Sequence, residues 1–235
     1  MIDFLRSSKA HIFLDQLLET VCITGEDYHH LSRVLRIKKE DIVSGASNSK
    51  VRKYEVVDID KTQIQLKAVG DILENDENEI VIAVSLFKLD RLEWGIAKAV
   101  ELGVSKIIIG TTKRSTIKLD EKSRLKLEAR LTSIIRNSSM QSRRCVLAQI
   151  EIVGDLFGYL NEKRFNLVVC DPAGAVNVDV QGKVIVVGPE GGFENGEIDS
   201  LDLGAQLWSI SPSVLRAETA TAFATGLASR SFQKP

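Results

Sequence analysis

Apolar and polar residues alternate in several short segments near the start of the chain. A period of two residues is typical of strands that bury one face. The strands predicted in this way are residues 11–14, 41–43, 54–59 and 63–67. Residues 26–35 have the spacing of a helix instead. The pattern predicts that residues 1–73 form a small, mostly β domain with a barrel-like sheet.

A short acidic segment separates this region from a second pattern. Residues 74–79 contain no apolar side chain and are predicted to be a linker. Beyond them the apolar residues come in continuous runs, as in parallel strands covered on both faces. The predicted strands are residues 80–84, 106–110, 166–170, 183–187 and 206–210. Because helical patterns lie between them, residues 80–235 are predicted to form an α/β sandwich.

The helices of this second region show clear start and stop signals. Gly103 follows the helix predicted over residues 91–102, at a position that favours glycine. The apolar stripe of that helix consists of Leu92, Ile96, Ala99 and Val100. Asp120 is suited to cap a long helix that ends near Asn137. Two more helices are predicted over residues 196–203 and 217–232, the latter with Phe223, Leu227 and Phe232 as packing residues.

The composition agrees with a folded protein of two domains. The chain has 235 residues, of which 44% are hydrophobic and 27% are charged. No apolar run approaches the ~20 residues that a membrane helix needs. The N-terminus also lacks the pattern of a signal peptide, so we expect a cytoplasmic protein.

Cysteine and histidine residues give no sign of a metal site. Neither set has the spacing of metal ligands, so we expect no zinc. The residues concerned are Cys22, Cys145, Cys170, His11, His29 and His30.

Charge is unevenly distributed along a chain whose net charge is −1. Residues 33–53 contain seven basic and two acidic residues, and residues 113–144 contain ten basic and three acidic residues. Residues 151–210 contain three basic and ten acidic residues. This segregation would let the protein meet a polyanion on one side. Solvated helix faces explain the same pattern equally well.

The strongest candidate site is the segment Gly188-Pro189-Glu190-Gly191-Gly192-Phe193, which we call the glycine turn. It follows a predicted buried strand, where an α/β sheet usually binds its ligand. Glycine lets the backbone approach a ligand closely. The segment is not a P-loop, a GxGxxG fingerprint or a nucleophile elbow. It is therefore either a backbone-lined cofactor site or a structural turn, and the carboxylate of Glu190 favours the first.

Two further turns are candidates for the same pocket. Residues 171–174 form either a tight Asp-Pro turn or a wall of the pocket. Residues 215–220 open the last predicted helix, where Glu218 is favoured by the helix dipole. Arg216 is placed to contact a phosphate or to pair with Glu190 or Glu218.

A third candidate lies in the helix predicted near the N-terminus. His30, Arg33 and Arg36 are close together at helical spacing, with Val34 and Leu35 toward the core. An ordinary amphipathic helix is the alternative interpretation.

Four motifs together resemble one family. They are the glycine turn, the segment Leu215-Arg216-Ala217-Glu218-Thr219-Ala220, residues 93–104, and His30-x-x-Arg33-Val34-Leu35-Arg36. Together, and in their order along the chain, they resemble the 16S ribosomal RNA (uracil-N3)-methyltransferase family of the SPOUT class. Met140, Ser213 and Ala217 depart from the family pattern.

The resemblance implies an N-terminal PUA-like barrel that helps to hold RNA, and a C-terminal SPOUT domain with a deep trefoil knot. It also implies S-adenosylmethionine as cofactor and a homodimer. The implied cofactor contacts are Pro172, Val187, Gly188, Glu190, Gly191, Gly192, Ile210, Leu215, Arg216, Glu218, Thr219 and Ala220. The implied RNA-binding residues are His30, Arg33, Arg36, Arg91, Arg143 and Arg144, with Lys98 as a further RNA-side or structural charge.

The implied reaction is methylation at N3 of a uridine in the 16S rRNA of the small ribosomal subunit. N3 must lose a proton, so the base has to be positioned and its negative charge stabilised. Arg216 is the candidate for that stabilisation. Glu218 or Glu190 would orient Arg216 or accept the proton, and loss of the proton to water is an equal alternative. A methyltransferase for another RNA and a non-catalytic RNA-binding protein are the alternatives.

Overall fold

The computed structural model describes residues 4–5, 7–75, 77–194, 196–201 and 204–232. It divides into two compact units. The first comprises residues 1–77 and 139–146, and the second comprises residues 78–138 and 147–235. The domain bounds 1–73 and 80–235 stay a prediction, and Asp76 of the predicted linker lies outside the described residues.

The first unit is built on a sheet in which the strand order is β1-β3-β4-β5-β2. The strands are β1 (Ala10–Phe13), β2 (Thr20–Ile23), β3 (Ile42–Ser47), β4 (Lys50–Ile59) and β5 (Ile64–Glu74). β1 and β3 are parallel, and the other pairs are antiparallel. Within β4, Tyr54 and Val56 are buried, as the alternation predicts, and Val51 is buried as well because the register shifts between Val51 and Lys53. The sequence pattern missed β2.

A short helix, α1 (Gly25–His29), continues into a π-helical turn, His30–Val34. This confirms helical structure in the predicted segment. Leu31 is fully buried there and belongs to the core formed by the sheet. The expectation for Val34 was wrong, because Val34 is 66% exposed, whereas Leu35 packs against the core.

A buried polar cluster connects residues 139–146 to the sheet of the first unit. The His11 ring lies 2.8 Å from Ser44 Oγ through Nδ1 and 2.7 Å from the Arg144 carbonyl oxygen through Nε2. Since that carbonyl only accepts, Nε2 carries the proton and the Ser44 hydroxyl donates to Nδ1. Burial, with a smaller effect from the nearby Arg143, lowers the pKa of His11 to about 4.

The stability of the protein should therefore depend on His11 in acid. Since the folded pKa is about 4 and the ordinary value is 6.5, the contribution is complete above pH 6.5 and disappears as pH falls toward 4. We expect His11 to account for a loss of about 2 kcal/mol between pH 8 and pH 5. The measurement is urea unfolding at both values for the wild type and for His11→Gln. Equal pH dependence in the two proteins would contradict the assignment.

The second unit contains a parallel sheet with the order β11-β9-β10-β6-β7-β8. Its strands are β6 (Val81–Ser85), β7 (Lys106–Thr111), β8 (Gln149–Asp155), β9 (Leu167–Ala175), β10 (Val184–Val187) and β11 (Gln206–Trp208). The five predicted strands are confirmed, and β8 was missed. β10 lies between two strands that precede it in the chain, β9 and β6. The carboxyl ends of β9 and β10 thus meet at one edge of the sheet.

Four helices accompany this sheet among the described residues: α2 (Leu89–Glu101), α3 (Glu121–Gln141), α4 (Leu156–Glu162) and α5 (Ala217–Ser231). The predicted apolar stripe of α2 is buried, and Gly103 after it has a φ of +99°. Asp120 accepts a hydrogen bond from the Ser123 N–H, which confirms the cap of α3. The last turn of α3 belongs to the first unit, where Met140 is buried in the core.

Two predictions for the helices were wrong. The segment predicted as a helix over residues 196–203 has, among its described residues 196–201, only a 3₁₀ turn, Ile198–Ser200, and Asp202 and Leu203 lie outside the described residues. Phe223 on α5 is 45% exposed, although it was expected to pack. Leu227 and Phe232 are partly buried against the core, as predicted.

Candidate active site

A pocket opens where β9, β10 and β11 end and α5 begins. Its empty volume is about 720 Å³, part of which is open to solvent. Eight residues predicted as cofactor contacts line it: Pro172, Val187, Gly188, Glu190, Gly192, Ile210, Leu215 and Ala220. The pattern of glycine turn and helix start thus indicated one common site.

One wall of the pocket is formed by an irregular part of β9. The partner of β11 changes from Val169 to Ala175 in one step, so residues 170–174 bulge out of the ladder. Asp171 and Pro172 in this bulge line the pocket. The segment is therefore a bulged strand rather than a tight turn.

Gly174 is required by the close approach of β11. A Cβ atom on Gly174 would lie 2.4 Å from the Leu207 carbonyl carbon and from the Trp208 nitrogen. Both are backbone atoms, which cannot move aside as a side chain can.

Gly174→Ala should therefore disturb the pocket wall and destabilise the protein. We expect the free energy of unfolding to fall by about 1–3 kcal/mol, as in overpacked cores. Gly154→Ala is the matched control, because a Cβ on Gly154 meets nothing within 4 Å. Urea unfolding of both variants tests this, and equal stability of the two would contradict the close approach.

The glycine turn closes on itself. The Gly192 N–H donates to the Pro189 carbonyl oxygen at 2.9 Å, and Gly192 has a φ of +67°, which favours glycine. The Phe193 ring lies over Gly188, where a Cβ would be 3.1 Å from the ring. The turn contributes Gly188, Pro189, Glu190, Gly192 and Phe193 to the lining of the pocket.

Charged side chains near the pocket pair differently from the prediction. Arg91 Nη1 lies 3.5 Å from Glu190 Oε1, and Arg91 Nε lies 4.0 Å from Glu218 Oε1. Arg91 thus occupies the place proposed for Arg216 beside these carboxylates. Glu218 is buried, and its Oε2 has no hydrogen-bond partner within the described structure.

Four predicted cofactor residues do not line the pocket. Arg216 is exposed, although its neighbours Leu215 and Ala217 do line it. Gly191 and Thr219 are exposed as well. Glu218 is buried and packs against α2. Any contact of these residues with a ligand stays a prediction.

Cys170 was not predicted as a site residue, yet it lines the pocket. Burial raises the pKa of its thiol to about 12. Cys170 is therefore a neutral thiol at physiological pH, and it serves as part of the wall rather than as a nucleophile.

The predicted RNA-binding residues fall into two groups. Arg33 and Arg36 are exposed and His30 is half-buried. Arg143 instead donates to the carbonyl oxygens of Leu5 and Ser8.

Arg144 and Lys98 also have partners within the protein. Arg144 is buried, and its Nη2 lies 2.5 Å from Glu77 Oε2. Lys98 Nζ lies 2.8 Å from Glu101 Oε1. The structure gives these side chains structural roles, and an RNA contact for them stays a prediction.

The described part of the chain has no cluster of side chains suited to a metal ion. Within it there is also no helix with the length and apolar character to cross a membrane.

Two family models match the chain. The model of an RNA methyltransferase domain matches residues 74–229, and the model of an RNA methyltransferase PUA domain matches residues 23–69. The first match covers well over half of the chain.

Curated proteins of similar sequence have the same name in several bacteria. Ribosomal RNA small subunit methyltransferase E of Bacillus subtilis is 30% identical over 226 residues, which cover 87% of this chain and 88% of that protein. The protein of that name from Mesomycoplasma hyopneumoniae is 30% identical over 208 residues, with 86% and 90% covered.

Solved structures show the same fold. Ribosomal RNA small subunit methyltransferase E from Neisseria gonorrhoeae, bound to S-adenosylmethionine, matches with a TM-score of 0.84 at 21% identity, over 95% of this chain and 99% of its own. A Legionella pneumophila methyltransferase in complex with S-adenosylmethionine matches with a TM-score of 0.82 at 23% identity, over 94% and 97%.

These likenesses confirm the predicted fold class, an α/β domain of the SPOUT type with an N-terminal PUA-like domain. The trefoil knot itself stays a prediction. From the matched family model and the curated relatives, the chain belongs to the RNA methyltransferase family.

Proposed function

We propose that this protein uses S-adenosylmethionine to methylate N3 of a uridine in the 16S rRNA of the small ribosomal subunit. The observation that carries the proposal is the pocket at the carboxyl edge of the parallel sheet. The name shared by the curated relatives supports a ribosomal RNA substrate.

The pocket suits a cationic ligand. Two carboxylates, Asp171 and Glu190, line it, and none of its described lining residues is a lysine or an arginine. Such a site disfavours phosphate groups and favours positive charge. When bound, S-adenosylmethionine supplies an electrophilic methyl group on a sulfonium cation. Val187, Ile210 and Leu215 give the pocket an apolar wall for a flat base.

The residues of the chain have two tasks in the reaction. For methylation, the uracil N3 must give up its proton to a base as its bond to the methyl carbon forms and the methyl–sulfur bond breaks. Glu190 lines the pocket and Glu218 does not, which makes Glu190 the better placed acceptor. Arg91 already lies beside both carboxylates. The task of stabilising the negative charge of the uracil therefore goes to Arg216 in this proposal.

The first unit supplies part of the RNA surface in this proposal. The PUA domain match and the exposed Arg33 and Arg36 support it. The knot and the homodimer belong to the proposal as well. β10 between β9 and β6 supports the knot, and the exposed Trp94 on α2 and Phe223 on α5 support a dimer interface. A ribosomal RNA substrate would place the protein in the cytoplasm.

The test is methyl transfer from labelled S-adenosylmethionine to small subunits that lack the modification. We expect label in the RNA, and N3-methyluridine when the digested RNA is analysed by mass spectrometry. Absence of label would overturn the activity. Label at another atom or in another RNA would replace the substrate assignment. Absence of cofactor binding in calorimetry would favour a non-catalytic RNA-binding protein.

A further inference from the structure

We infer that Glu197 is a positioning residue whose buried carboxylate fixes the glycine turn in its ligand-binding shape. The ligand in this inference rests on the proposed function. Glu197 is 4% exposed. Its Oε2 accepts a hydrogen bond from the Glu194 N–H at 2.9 Å, directly after the glycine turn. Its Oε1 accepts from the Lys113 N–H at 2.8 Å.

The second contact reaches a firmly held loop, residues 112–115, which we call the brace. Ser85 at the end of β6 is fully buried, and its Oγ lies 2.5 Å from Thr112 Oγ1 and 3.1 Å from Ser115 Oγ. The Thr112 N–H also donates to Ser115 Oγ at 3.0 Å. These hydroxyl contacts attach the brace to the sheet, so Glu197 connects the glycine turn to a rigid support.

The brace also reaches the glycine turn directly. Arg114 Nη1 donates to the Gly191 carbonyl oxygen at 2.7 Å. On the opposite side, the rings of Phe193 and Phe157 pack with centroids 5.2 Å apart. The turn is therefore held at three points, of which the Glu197 contact is the most buried polar one.

The chemistry of Glu197 explains why a carboxylate is suited to this position. Each of its two oxygens accepts from one backbone N–H, and an ionised acceptor makes stronger hydrogen bonds than a neutral one. An amide of the same shape offers one acceptor, and its NH₂ group faces the second donor. Glu197→Gln should therefore release one side of the connection without changing the volume of the side chain.

The experiment compares Glu197→Gln with Glu194→Gln. Glu194 is a suitable control because its carboxylate is half exposed and its ion-pair partner among the described residues is Lys113, at 3.3 Å. In the cofactor-free protein, we expect faster hydrogen exchange in residues 111–115 and 188–197 for Glu197→Gln, by about tenfold or more. We expect its dissociation constant for S-adenosylmethionine, measured by calorimetry, to rise about 10- to 100-fold. RNA affinity should stay within about threefold of wild type in both variants.

Each outcome decides the inference. Unchanged exchange in both segments would overturn it, as would faster exchange spread over the whole second unit, which would mark Glu197 as a general stability residue. An equal effect of Glu194→Gln would also overturn it. If the wild-type protein does not bind S-adenosylmethionine, the proposed cofactor fails, while the exchange comparison still decides the role of Glu197.

Discussion

Replacing Glu77 with alanine should lower the free energy of unfolding of the first unit by about 3–5 kcal/mol, the cost of removing one partner of a buried ion pair. Arg144 Nε and Nη2 donate to Glu77 Oε2 at 2.8 and 2.5 Å. The side chains of Arg144 and Glu77 are 6% and 17% exposed. The Cys145 and Val146 N–H groups donate to Oε1, so the substitution removes their acceptor as well.

The measurement has to report on the first unit. Trp94 and Trp208 both belong to the second unit, so their fluorescence does not follow the relevant transition. Hydrogen exchange in β1 and β3 follows the unfolding of the first unit. We expect protection from exchange to fall in these strands and to be kept in β6 and β7.

Two matched variants make the Glu77 prediction specific. Glu79→Ala removes a nearby exposed carboxylate and should change stability by less than about 0.5 kcal/mol. The double variant Glu77→Gln, Arg144→Met should lower the free energy of unfolding by less than Glu77→Ala does, because it removes both charges of the buried pair. A double variant as unstable as Glu77→Ala would contradict the electrostatic explanation.

Arg216→Ala should lower the rate of methyl transfer about 100- to 1000-fold, as when one preorganised donor is removed from an anion site. Arg216 lies at the N-terminus of α5 between two residues that line the pocket. No ion pair within the described structure occupies its guanidinium, so it is available to the negative charge that develops on the uracil.

Kinetics with saturating cofactor and RNA test the role of Arg216. Because the role proposed for Arg216 is to act on the reacting base, kcat should fall while the dissociation constant for S-adenosylmethionine changes by less than about threefold. Arg230→Ala, an exposed arginine at the other end of α5, is the control and should keep wild-type kcat. A raised KM with unchanged kcat would assign Arg216 to binding alone.

The repeating parts of the fold were predictable because their patterns are local. The continuous apolar runs predicted β6, β7 and β10, since strands covered on both faces need apolar residues throughout. The glycine turn and the start of α5 were recognised in the same way. Their residue types suggested one ligand site, while the individual residues that line the pocket were implied by the resemblance to the family.

The contacts that fix the site depend on distant partners, which a local pattern cannot show. Glu197 accepts from an N–H 84 residues away, and Arg114 donates to a carbonyl 77 residues away. Glu77 looked like part of a polar linker because its partner Arg144 is 67 residues further on. The bulge in β9 resembled an Asp-Pro turn for the same reason, since β11 lies opposite to it.

The position of β10 has a consequence for how the protein is made. Val184–Val187 pairs with Val81–Val84, about a hundred residues earlier, and Val184–Val186 pairs with Leu167–Val169. Pairing over such separations is slow, because the loop-closure entropy is lost before the contacts form. The glycine turn follows β10 and the opposite wall comes from α5, so a growing chain cannot assemble the pocket until nearly all of it has left the ribosome. An enzyme that modifies ribosomes would thus acquire its cofactor only after its own synthesis is almost complete.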